Sequence, residues 1–218
     1  YASDKNRKMN LQLAKLIINE CFMPVALGGG IKTIEDIHDL LAIGADKVVL
    51  KSKIIDDPEF INKASQVFGN QCITLAIDAV KQDDGKYYLY NRLNKTIELF
   101  EFLDHIKSYN FGEIILTSVN NDGMMNGFDI ELVNKVEKII HVSIVVAGGA
   151  GNLDHFKALF SKSHIEAVGA ASIFHFTQYT PRDIKLAIAS VGKPVRIVEK
   201  MYIPKISKML NQKKIVFR

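Results

Sequence analysis

The chain has 218 residues, 48% of them hydrophobic, and a formal charge of +4. That length and apolar content suffice for a substantial core in one domain, and acids are interspersed with bases, so no patch for nucleic acid is indicated. No apolar run is long enough to span a bilayer and no signal peptide opens the chain, which excludes a membrane protein from the reading and makes the cytoplasm the expected compartment.

Short Val- and Ile-rich runs alternate with longer segments of helical period, the pattern of parallel strands buried by crossover helices. In chain order the reading is helix 11–20, strand 24–27, helix 34–42, strand 47–50, helix 58–67 and strand 72–77, then helix 97–108, strand 113–116, helix 130–139, strand 143–146, helix 153–160, strand 166–170 and helix 181–189. Thr33, followed by Glu35 and Asp36, suits a helix N-terminus, and Asp57 before Pro58 suits another with proline at the first helical position. The two cysteines, Cys21 and Cys72, stand among apolar neighbours and read as buried thiols of a reducing compartment.

Residues 25–54 match residues 145–174 at a constant, ungapped offset of 120: Gly28-Gly29 falls on Gly148-Gly149, Asp46 on Glu166 and Ser52 on Ser172. Each half reads strand, glycine turn, helix, strand, serine, which suggests duplication. The second half opens with two further strands, 72–77 and 113–116, whose first-half equivalents fall before or at Tyr1. The expected fold class is therefore an α/β (β/α)8 barrel, here lacking the first βα unit and most of the second strand. Its barrel domain covers residues 1–196, incomplete at the N-terminus. Residues 197–218 form a basic extension, with Lys200, Lys205, Lys208, Lys213, Lys214 and Arg218 against Glu199. A solvated or partner-docking segment is its default reading, a membrane-surface role the lesser one.

Both glycine turns, Gly28-Gly29-Gly30 and Gly148-Gly149-Ala150-Gly151, follow a strand and precede a helix. There, backbone N–H groups can approach an anion. An ordinary tight βα turn looks the same; two at symmetric positions, each with a serine one strand later (Ser52, Ser172), point to a ligand phosphorylated at both ends. Asp78 ends an apolar strand and Asp122 lies in the loop after residues 114–117, so both are expected at the C-terminal rim, where barrel enzymes place acid–base groups. Asp122-Gly123 also reads as a simple turn. His175, between aromatics, reads as a packed loop residue. No set of His, Cys and acids has metal-ligand spacing, so neither metal nor cofactor is expected.

The stretches Pro24-Val-Ala-Leu-Gly-Gly-Gly-Ile, Gly44-Ala-Asp-Lys-Val, Leu75-Ala-Ile-Asp-Ala, Gly112-Glu-Ile-Ile-Leu-Thr-Ser, Asp122-Gly, Gly127-Phe-Asp, Ala147-Gly-Gly-Ala-Gly and Ala171-Ser-Ile-Phe-His-Phe resemble the cyclase subunit of imidazole glycerol phosphate synthase, from Tyr1 to about Arg196. The resemblance implies a (β/α)8 barrel with a glutaminase partner as heterodimer. Ammonia from that partner would cleave a bis-phosphorylated ribulosyl aminoimidazole into imidazole glycerol phosphate and aminoimidazole carboxamide ribotide. By position it implies Asp78 and Asp122 as the catalytic carboxylates. It further implies Gly30, Lys51 and Ser52 at one phosphate, and Gly123, Gly148, Gly149, Ala171 and Ser172 at the other. Asp46, Lys47 and Glu113 would lie on the partner face and at the ammonia gate.

Three departures accompany it. The family's first-strand aspartate and a nearby lysine have no counterpart. Lys51 stands where the biosynthetic enzymes carry asparagine, and Asn120 where they usually carry aspartate. These changes, with Glu20-Cys-Phe-Met-Pro and the tail, also resemble paralogues associated with surface polysaccharides. That resemblance implies an ammonia-channelling subunit of a sugar-amidating system, and a non-catalytic phosphate-ligand-binding subunit is the remaining alternative.

Overall fold

A computed structural model describes residues 10–91 and 96–196; the basic extension lies outside them. The order is α1 (Leu11–Glu20), β1 (Ala26–Gly28), α2 (Ile34–Ala42), β2 (Lys47–Leu50), α3 (Ser52–Asp56), α4 (Phe60–Phe68), β3 (Ile73–Lys81), β4 (Tyr87–Leu89), α5 (Leu99–Ile106), β5 (Glu113–Ser118), α6 (Ile130–Glu137), β6 (Ser143–Ala147), α7 (Leu153–Lys162), β7 (Ala167–Gly169), α8 (Ser172–Phe176) and α9 (Pro181–Ala189). Six strands pair in parallel in the order β1-β2-β3-β5-β6-β7, with β4 antiparallel on the far end of β3. The fold is an α/β, (β/α)8-type curled half-barrel. Among the described residues β1 and β7 are each paired on one side only.

Alternation within the strands makes the sheet two-sided. Ile73, Leu75 and Ile77 of β3, Ile114 and Leu116 of β5, and Val146 of β6 are buried in one cluster with Ile61, Leu99, Leu103, Ile106, Val133, Val136 and Phe156 from the helices. Filling such positions contributes roughly 1.5–3 kcal/mol each. The alternate residues share the other, inner face and line up in rungs. Thr74, Glu113 and Ser143 form one rung, Ala76, Ile115, Val145 and Ala167 the next, and Asp78, Thr117, Ala147 and Gly169 the last. Polar groups thus sit at the two ends of the inner face, with small and apolar residues between.

The helix starts are explained by local chemistry. Thr33 and Asp36 form a reciprocal capping box on α2, as Thr180 and Asp183 do on α9 with Pro181 in the first turn. Asp57 does not cap α4 as expected: that helix begins at Phe60, and the Asp57 carboxylate is taken by Lys53 at 3.2 Å and Lys63 at 3.8 Å. The Lys53 hydrogen bond, then the charge of Lys63, holds Asp57 below the ordinary carboxylate range.

Two further expectations are corrected. Cys21 is exposed and Cys72 only partly covered. Cys21 ends α1, whose Leu13, Leu16 and Ile17 are also exposed, as are Phe22 and Met23 after it; apolar neighbours in sequence do not bury a residue beside a strand that pairs on one side only. The repeat is also not ungapped. β2 and β7 start 120 residues apart, as do α3 and α8, but the caps Thr33 and Asn152 are 119 apart. The ends of β1 and β6, Gly28 and Ala147, are likewise 119 apart, so the two turns are equal in length and Gly29-Gly30, not Gly28-Gly29, corresponds to Gly148-Gly149; the extra residue lies in α7, ten residues long against nine for α2.

The residues gathered at the C-terminal ends of the strands

Asp78 lies inside β3 and points to the inner face; Lys51, immediately after β2, reaches across and pairs with its carboxylate. Lys51 is also the N-cap position of α3, without a side-chain cap, and Ser52 is that helix's first residue. In the second half Ala171 and Ser172 occupy the same places on α8, again uncapped. Neither five-residue helix was anticipated from sequence, because an amphipathic repeat cannot show itself in so short a segment. His175 is an exposed residue of α8 stacked edge-on to Phe176, not a packed loop residue.

Asp122 stands in the loop between β5 and α6, its N–H donating to the Ser118 carbonyl at 2.9 Å. Its side chain rests on Gly148: a Cβ there would come within 3.2 Å of the Asp122 Cβ. The loop is pressed backbone-to-backbone on the turn after β6. A side chain at Gly149 would meet the Gly127 carbonyl oxygen at 2.1 Å, and one at Gly151 the Met125 oxygen at 2.2 Å. Gly127 N–H donates to the Gly149 carbonyl at 2.8 Å. The glycines of the second turn are therefore dictated by the loop that carries Asp122. Gly123 has a φ of 77° and open space where a side chain would go; Gly30, in the first turn, has a φ of 75°.

Sequence reasoning did not find the polar frame around Asp122. Asn121 Nδ2 donates to the Gly127 carbonyl at 2.7 Å, and its Oδ1 accepts from the Ser118 hydroxyl at 3.2 Å. Asn120 pairs with the backbone of Lys81. The β3–β4 hairpin, turning at Gly85, puts Tyr87 beside α6, where its hydroxyl donates to both Asp129 oxygens at 3.1 Å. Burial, then the charge of Asp129, raises the Tyr87 phenol above its usual range. Lys81 and Lys135 both bond Glu131, which brings its carboxyl down to about 2. Runs of adjacent asparagines were the available signal.

At the opposite, N-terminal ends, Lys47 of β2 donates to Glu113 of β5 at 2.8 Å, and the Thr74 hydroxyl donates to the same carboxylate at 3.3 Å. Asp46 instead accepts from the Val25 N–H at 2.8 Å, tying the entry of β1 to that of β2. The residues singled out from sequence thus separate into two ends of one inner face.

A half-barrel with its acids at the C-terminal strand ends belongs to the (β/α)8 class, in which that end carries the chemistry. A family model described as "Histidine biosynthesis protein" matches residues 1–180, and the chain belongs to that family, whose members are enzymes of histidine biosynthesis. Among the described residues no helix is long and apolar enough to cross a membrane.

Proposed function

We propose that the chain is the ammonia-dependent cyclase and lyase subunit of imidazole glycerol phosphate synthase, working with a glutaminase subunit as heterodimer. It would convert the bis-phosphorylated ribulosyl aminoimidazole into imidazole glycerol phosphate and aminoimidazole carboxamide ribotide. The observation that carries this reading is the placing of Asp78 and Asp122 at the C-terminal ends of adjacent strands, between turns repeated in both halves.

In this mechanism one carboxylate takes a proton as ammonia attacks and another gives one to the leaving group. Asp78 is held by Lys51, whose ammonium carries the proton that this pair can pass to the leaving group, whereas among the described residues no cation pairs with Asp122. Asp122 is accordingly the proton acceptor. The rung of Ala76, Ile115, Val145 and Ala167, between Lys47 with Glu113 below and Asp78 above, supports passage of a small neutral molecule along the inner face. Gly30, Lys51 and Ser52 would hold one phosphate, and Gly123, Gly148, Gly149, Ala171 and Ser172 the other.

The Lys51–Asp78 pair favours a second reading, the ammonia-channelling subunit of a sugar-amidating system, because it alters the pocket where the cyclases carry asparagine. The deciding experiment is ammonia-dependent turnover of the bis-phosphate by the full gene product, with Asp122→Asn alongside at high ammonium. Turnover lost in the variant supports the cyclase; no turnover from folded protein rejects it in favour of sugar amidation or a binding subunit. Co-purification with a glutaminase is expected in the first two cases.

A further inference from the structure

Asn120 stands where β5 leaves the sheet. Main-chain pairing of β3 with β5 runs from Thr74–Glu113 to Ala79–Ser118, and Val119 N–H still donates to the Ala79 carbonyl at 2.8 Å. Beyond that point β3 continues to Lys81, but the chain after Val119 turns away into the loop of Asp122. The side-chain amide of Asn120 makes the next rung. Lys81 N–H donates to Oδ1 at 2.7 Å, and Nδ2 donates to the Lys81 carbonyl at 3.2 Å. A carboxamide offers the same donor and acceptor as a peptide group, so it substitutes for the missing strand residue.

What it grips is itself fixed. Lys81 pairs with Tyr87 across the hairpin, and its ammonium bonds Glu131 at 2.8 Å at the start of α6. On the other side of Asn120, Asn121 ties Ser118 to Gly127. Asp122, the next residue, therefore follows directly on two anchored asparagines and is set down on Gly148.

We propose that Asn120 is a positioning residue that fixes Asp122 over Gly148 through both faces of its amide. This rests on the reading of Asp122 as the proton acceptor. Aspartate at this position keeps the bond from Lys81 N–H but sets an oxygen against the Lys81 carbonyl, retaining one contact of two; alanine retains neither. The loop is thus expected to loosen in the order native, Asn120→Asp, Asn120→Ala.

The test is amide hydrogen exchange on the full chain, with thermal melting in parallel. Exchange of residues 119–127 is expected to rise about fivefold per bond lost. The Lys81 amide should stay protected in Asn120→Asp and open in Asn120→Ala, with exchange in β6 and α4 unchanged. Unchanged exchange in the loop overturns the proposal, as does a uniform rise across the molecule. In ammonia-dependent turnover, Asn120→Ala should lower kcat more than it changes KM; a rise in KM with kcat unchanged overturns action through Asp122. Absence of turnover in the native protein would reject the cyclase reading while leaving the exchange result to decide the positioning of Asp122.

Discussion

The ammonium of Lys51 and the carboxylate of Asp78 are paired across the C-terminal ends of β2 and β3. Lys51 also heads α3, and a cation at the positive end of a helix is placed against the helix dipole. Asp78 offsets that conflict, and so would any other anion between the two. On the proposed reading Lys51 would be shared: a phosphate at this end would have to compete with Asp78 for it.

Competition has a sign that can be read. With inorganic phosphate as probe in calorimetry, Lys51→Met should weaken binding at least about tenfold, the usual worth of a charged hydrogen bond. Asp78→Asn should tighten it severalfold by releasing Lys51. Asp122→Asn removes the same charge from the same rim without freeing a cation, and serves as the control; equal tightening in both would mean charge alone is acting. Both partners are partly exposed, so melting should shift little, corresponding to about 0–1 kcal/mol.

Gly149→Ala and Gly123→Ala should differ sharply. The first sets a methyl carbon on the Gly127 carbonyl at a φ of 101° and should cost more than about 3 kcal/mol in denaturant unfolding. The second meets nothing and carries only the strain of its positive φ, about 1 kcal/mol. A mild melt for Gly149→Ala would mean that the loop and the turn are not pressed together.

Truncating Glu113 to alanine removes the acceptor of the buried Thr74 hydroxyl and the partner of Lys47. A cost of about 1–3 kcal/mol is expected in chemical denaturation. If these groups meter ammonia from a glutaminase, glutamine-dependent turnover should fall more than turnover on added ammonium. Equal losses would remove them from that role.

The ties of Glu131 depend on pH. Its carboxyl is depressed from 4.5 to about 2 by Lys135 and Lys81, so the stability it contributes is present above pH 4.5 and is lost as pH falls toward about 2. A carbon-13 titration of the Glu131 carboxyl should show this midpoint, and Lys81→Met should raise it. A midpoint near 4.5 in the native protein would mean that neither lysine holds Glu131.

Much of the architecture was legible because long periodic segments declare themselves. All six parallel strands and all seven helices read from the sequence are present, with ends moved by a few residues, as when residues 97–108 shorten to Leu99–Ile106. What stayed hidden was short or non-local. β4 has three residues and exists only because β3 outruns the barrel and folds back at Gly85. The rim glycines were visible, but the reason for Gly149 and Gly151 was not, since the atoms they avoid belong to Gly127 and Met125 of another loop. Asp78 and Asp122 announced themselves by position; the grip of Asn120 on a backbone 39 residues away could not.

The exchange of lysine for alanine at corresponding places of the two halves, 51 and 171, has a stereochemical consequence. Two identical halves facing one another would accept a two-ended ligand in either direction, and half of all encounters would present the wrong end to each carboxylate. Here a cation heads the short helix of one half and a methyl group that of the other. The ends are not equivalent, so a doubly phosphorylated molecule bound as proposed would have a head and a tail, and Asp78 and Asp122 would each meet the same one.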